Sequence, residues 1–131
     1  MTQHSTAGHV SVDAVAFSAE CRRPVIALLT DFGHADPYVA QMKGAVLQRA
    51  SDVQLIDISH EISPFGIAQA GFFLRASQGH FPCGSVFVAV VDPGVGTSRR
   101  ILCLVREERL FLAPDNGLLS MLLDAPGPAN L

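Results

Sequence analysis

Three apolar runs, each closed by a polar cluster and separated from the next by one helix-length segment, constrain this chain more than any other feature. Val25-Ile26-Ala27-Leu28-Leu29 runs without a polar break into Thr30-Asp31, which is how a strand buried on both faces reads. Val53 to Ile58 is a second such run, interrupted by Asp57, and Ser85 to Val91, dense in valine, is a third. Between the first two, Val39, Met42, Val46 and Leu47 recur at helical spacing, with Asp36 placed to cap the helix and Pro37 to open it. Ile67 to Ala76 fills the second interval with a segment rich in Ala and Phe. Strand, helix, strand, helix, strand predicts an α/β fold with a mostly parallel sheet and crossover helices.

The pattern changes after Gly96. Ile101 to Val105 and Leu110 to Ala113 flank a charged turn, Arg106-Glu107-Glu108-Arg109, and read as a hairpin or two adjacent strands. Asn116 to Leu123 is expected as a last short helix. Residues 1–23 have no sustained period and are expected to form a flexible leader, with His4 and His9 part of a solvated tail. The domain is expected over 24–124, and 125–131 as a truncated linker.

Composition sets limits on function. The 131 residues are 49% hydrophobic and 16% charged, enough apolar content for a real core. The net charge of −3, with no basic stripe, argues against a nucleic-acid partner. No apolar run approaches bilayer length and the N-terminus lacks a signal-peptide pattern, so no membrane association and a cytoplasmic location are expected. Three cysteines without a C-x-x-C pair argue against a disulfide framework. Cys103, inside an apolar run, is expected to be buried.

In open α/β sheets ligands bind at the carboxyl ends of the strands. Thr30-Asp31-Phe32-Gly33, Ser59-His60-Glu61 and Asp92-Pro93-Gly94-Val95-Gly96-Thr97 follow the three strands, and Pro114-Asp115-Asn116-Gly117 follows the hairpin. One edge therefore collects Asp31, His60, Glu61, Asp92 and Asp115, which suits ribose hydroxyls, an amine or cation, or a metal. Gly94-Val95-Gly96 is too short for a dinucleotide fingerprint, and no Gly-Lys-Ser/Thr makes it a P-loop. His60 has no second ligand at metal spacing and reads as a structural hydrogen-bonding residue. Asp115-Asn116-Gly117 reads equally as a turn with a helix cap.

Taken in order, T-D-F-G at 30–33, D-P-Y-V at 36–39, M-K-G at 42–44, D-I-S-H-E-I at 57–62, F-P-x-G at 81–84, V-V-D-P-G-V-G-T at 90–97 and A-P-D-N-G-L-L at 113–119 resemble the S-adenosylmethionine hydroxide adenosyltransferase family, related to the fluorinases and chlorinases. The resemblance covers roughly residues 24–124 and implies the N-terminal α/β domain of a fluorinase-like fold, followed in the family by a C-terminal β-barrel domain that is expected to be absent here. It implies hydrolysis of S-adenosyl-L-methionine to adenosine and methionine, a homotrimer with sites shared between subunits, no cofactor and no metal. Asp92 and Arg99 match two of the family's Asp-Arg-His water-activating set. Asp31 matches the aspartate that holds the ribose hydroxyls, Asp36 and Tyr38 match positions near the methionine end, and Phe65 matches an aromatic position against the substrate. Val95 stands, with Asp92, where the halogenating branch carries Thr and Tyr, and this favours hydroxide over halide.

The family's T-F-H-G-R-D-like motif is not found up to Leu131, so at most half of each composite site is expected. The competing expectations are a non-catalytic S-adenosylmethionine or adenosine binding domain and a structural remnant. Without the resemblance, Asp92 reads as a turn cap and Arg99 as a surface charge.

Overall fold

The computed structural model describes residues 23–126 and 129–130. All but Arg23 of the expected leader lies outside them. The chain builds β1 (Val25–Thr30), α1 (Tyr38–Arg49), β2 (Gln54–Ser59), α2 (Ile67–Gln78), β3 (Val86–Val90), β4 (Ile101–Arg106), β5 (Arg109–Pro114), α3 (Ser120–Leu123) and β6 (Ala129–Asn130). One sheet of order β2-β1-β3-β5-β4-β6 contains all six strands. β1 pairs in parallel with β2 and β3, and β3 with β5, whereas β4 runs antiparallel to β5 and to β6. The expected α/β class, mostly parallel with crossover helices, is what forms.

Alternation along the strands sorts the side chains. Ala27, Leu29, Phe87, Ala89, Val91, Leu104, Phe111 and Ala113 share one core with Ala70 and Leu74 of α2 and Leu122 of α3. Phe87 stacks on Phe111 at 4.7 Å between ring centroids, and Phe81 meets Phe87 edge-on at 5.0 Å. Deleting such a buried ring costs about 3–5 kcal/mol. On the opposite face Leu28 is fully buried, Val88, Val90 and Leu112 are half-covered, and Ile101 is 76% exposed.

Four local expectations are corrected. Asp36 does not cap α1: Gln41 N–H donates to the Pro37 carbonyl at 2.9 Å, Pro37 is the cap residue and no side chain caps the helix, so Asp36 stands one residue too early. The last helix is four residues, not eight, because Gly117 takes φ +89° and the Asn116 side chain accepts the Leu118 N–H at 3.2 Å. Cys103 is exposed, since it pairs across from Leu112 on the open face while its neighbour Leu104 pairs with Phe111 in the core. Arg106, read as part of a charged turn, is 1% exposed on the core side, where its guanidinium contacts the Pro126 carbonyl and Glu107. The turn itself is the two residues Glu107 and Glu108, both with positive φ, which matches the twist of a tight hairpin. The expected linker carries β6.

Candidate active site

β1 lies between β2 and β3, so the chain leaves it in one direction for β2 and returns on the other side for β3. The crevice at the carboxyl end of such a reversal is where open α/β sheets take ligands. Thr30 pairs in register with Val90. Asp31 and Asp92 therefore leave adjacent central strands one and two residues beyond a paired position.

Asp92 makes two contacts there. Its Oδ1 accepts the Gly94 N–H at 2.8 Å, and its Oδ2 lies 2.8 Å from Arg99 Nε. The Asp92 side chain is 3% exposed and that of Arg99 34%. Arg99 Nη1 also donates to the Asp115 carbonyl at 3.2 Å. The guanidinium thus ties the loop after β3 to the loop after β5. Asp92 caps a turn, as the plainer reading expects, but Arg99 is not a free surface charge. Gly94 makes the approach possible: a Cβ there would stand 2.9 Å from Arg99 Nη2 and 3.2 Å from Nε.

The loop after β5 is fastened from a second side. Arg100 Nη2 lies 2.8 Å from Asp115 Oδ2, and Asn116 Nδ2 donates to the Val91 carbonyl at 2.9 Å. Asp115-Asn116-Gly117 is therefore a turn that also braces β3. Arg100 has no signature in the sequence beyond lying close to a matched motif, whereas Asn116 lies inside one and was read as part of its turn.

A pocket of about 370 Å³ opens beside this pair. Asp92, Gly94 and Arg99 line it together with the apolar Val88, Val90, Val95, Leu112 and Ile101. An aliphatic wall beside the buried Asp92 carboxylate lowers the local dielectric and strengthens charge interactions there. Of the seven predicted site residues, the structure brings Asp92, Val95 and Arg99 together here. Asp31, Asp36, Tyr38 and Phe65 do not line this pocket. Asp31 is half-buried at the end of β1, and Asp36 and Tyr38 are exposed before and at the start of α1, Tyr38 edge-on to Phe32 at 6.2 Å. Phe65 is 66% exposed with φ +62°, a left-handed conformation that an aromatic residue adopts at a cost.

Beneath the β1 and β2 ends, Lys43 Nζ lies 2.6 Å from Asp57 Oδ2, and His60 Nε2 3.0 Å from Asp57 Oδ1, the latter at ion-pair distance without hydrogen-bond alignment. Burial pushes the Asp57 carboxyl up, but contacts from Lys43 and His60 outweigh it and hold the group below its ordinary value.

Fold and site together define a class: an open α/β domain with a pocket at the carboxyl edge of its sheet and, beside it, a carboxylate–guanidinium pair whose carboxylate is buried. The profile of the SAM hydroxide adenosyltransferase N-terminal domain matches residues 26–130, and the chain belongs to that family. It is 41% identical over 111 residues to the (R)-S-adenosyl-L-methionine hydrolase of Thermus thermophilus, covering 83% of this chain and 43% of that one. The hydrolase of the same name from Methanocaldococcus jannaschii is 40% identical, over 79% of this chain and 41% of its own. A fluorinase from Nocardia brasiliensis is 30% identical, with 81% and 43% covered. A crystal structure of an uncharacterized conserved protein from Thermotoga maritima superposes with a TM-score of 0.73 at 37% identity, over 76% of this chain and 38% of that one. The chain thus spans about two fifths of the length of the curated relatives it matches.

Proposed function

We propose that this chain supplies the N-terminal half of an S-adenosyl-L-methionine hydrolase that forms adenosine and methionine. One observation carries the reading: Asp92 and Arg99, the two residues that match the family's water-activating set, form a close ion pair at the rim of an apolar pocket. Water attacks the ribose C5′, the C5′–O bond forms as the C5′–S bond breaks, and the electron pair passes to sulfur. The sulfonium leaves as a neutral thioether and needs no acid, so the protein's work is to position the nucleophile. Water sheds one proton per turnover, to solvent. Arg99 stabilises the developing hydroxide character and Asp92 fixes the guanidinium. Asp31 holds the ribose hydroxyls, Asp36 and Tyr38 lie towards the methionine end, and Phe65 and Val95 contact the substrate; these assignments rest on the family likeness.

The reading extends to a homotrimer, supported by that likeness and by Ile101 and Val95, both exposed at the pocket. It extends also to the cytoplasm, supported by the chemistry of a charged substrate that does not cross bilayers. No helix among the described residues is long and apolar enough to span a membrane.

The test is adenosine release from S-adenosylmethionine by the purified chain, with Asp92→Ala as control. Adenosine that vanishes in the control supports hydrolysis. Saturable binding without adenosine would replace the reading with that of a binding domain, and neither binding nor turnover with that of a remnant.

A further inference from the structure

His60 is a buried ionisable residue that the proposed chemistry leaves unused. Its side chain is fully buried behind the β1 end, yet it touches both sides of the loop that carries Asp31. Its Nδ1 lies 2.7 Å from Thr30 Oγ1. Thr30 Oγ1 accepts the Phe32 N–H at 3.2 Å. The His60 carbonyl accepts the Gly33 N–H at 2.7 Å. Asp31 is thus flanked on either side by backbone or side-chain groups tied to one histidine.

The polarity of the chain of contacts is set at its far end. Asp57 is held ionised by Lys43 and offers only acceptors to His60 Nε2. The tautomer with its proton on Nε2 faces Asp57 at 3.0 Å and leaves Nδ1 to accept from the Thr30 hydroxyl. With its proton directed to Nδ1, Thr30 Oγ1 keeps its lone pairs for the Phe32 amide. Thr30 is itself fully buried, so water does not compete.

We infer that His60 is a positioning residue: through Thr30 and the Gly33 amide it locks the Thr30–Gly33 loop so that the Asp31 carboxylate meets the ribose in one orientation. The inference rests on the proposed role of Asp31 for its functional half, and on the contacts above for its structural half.

Two pairs of variants in the full chain test it. Asn at position 60 keeps an acceptor near the place of Nδ1, whereas Gln keeps volume but moves its polar end toward Asp57. A histidine that merely fills space is replaced better by Gln; one that positions the loop is replaced better by Asn. Thr30→Ser keeps the hydroxyl and Thr30→Val removes it. Amide hydrogen exchange at Phe32 and Gly33 and adenosine affinity by calorimetry are the readouts. His60→Gln and Thr30→Val are expected to speed Phe32 exchange about tenfold and to weaken adenosine binding by a similar factor, with His60→Asn and Thr30→Ser closer to the parent. If His60→Gln does not fold, Thr30→Val carries the same expectation. Unchanged exchange at Phe32 in Thr30→Val, or Gln outperforming Asn at position 60, would overturn the inference. A parent chain that binds no adenosine would remove the ribose reading of Asp31 while the exchange data still decide whether His60 locks the loop.

Discussion

Asp92 Oδ2 and Arg99 Nε stand 2.8 Å apart, with the carboxylate buried and the guanidinium one-third open to solvent. The asymmetry has an energetic consequence. Removing the arginine leaves a carboxylate that cannot reach water, whereas removing both charges leaves a neutral contact. Breaking a fully buried pair costs about 3–5 kcal/mol. Because Arg99 is partly solvated, Arg99→Met is expected to destabilise the domain by about 2 kcal/mol. Asp92→Asn combined with Arg99→Met is expected to recover most of that loss in denaturant titrations. Adenosine formation is expected to fall at least about a hundredfold in both single variants and in the double one. A double variant that regains turnover along with stability would show the pair to be structural only.

Gly94 separates position from stability. Alanine there pushes its Cβ into Arg99 Nη2, the far end of a flexible side chain, so the guanidinium moves and the backbone does not. We expect Gly94→Ala to unfold within about 1 kcal/mol of the parent and to lose activity by about ten- to a hundredfold. Full activity in the alanine variant would mean that Arg99 can act from a second position.

What the sequence made legible follows from how far each signal is local. β1 and β3 are continuous apolar runs, and the polar clusters stand directly after them, so the ligand edge could be drawn without a structure. The pairing of Arg99 with Asp92 could not, because it depends on how the loop over Gly94 folds back. It came only through family likeness. Cys103 and Arg106 were misplaced for one reason. In a hairpin, facing is set by the partner strand: Leu104 opposite Phe111 turns Cys103 outward, and Arg106, two residues on from Leu104, inward. The apolar run alone does not carry that parity. His60 was read as a structural hydrogen-bonding residue, but its partners were hidden, since Thr30 and Asp57 reach it from β1 and β2.

Asp57 gives a pH signature. Its folded carboxyl is held below the ordinary 3.8, so its contribution is fully present above that value and is lost as pH falls through the lower folded one. Asp57→Asn is expected to be less stable than the parent at neutral pH and to lose less stability on acidification below about pH 4. Both Lys43 and Asp57 side chains are about a third exposed, so added salt should shrink the difference. Urea titrations across that range check it, and parallel acid limbs in parent and variant would remove Asp57 as a contributor.

Cys83 offers a chemical check on the hairpin. The thiol is exposed, and its pKa is raised first by a hydrogen bond with the Glu108 carboxylate and then by desolvation, with Arg109 opposing. The thiolate is the reactive form, so the carboxylate slows alkylation. Glu108→Gln removes the negative charge and is expected to speed iodoacetamide labelling of Cys83 several-fold near pH 8, read by peptide mass. Cys103, on the open face of β4, should label in the native protein at a rate the substitution leaves alone. Equal acceleration at both cysteines would mean that the substitution loosens the hairpin itself, and no acceleration at Cys83 would place Glu108 away from the thiol in solution.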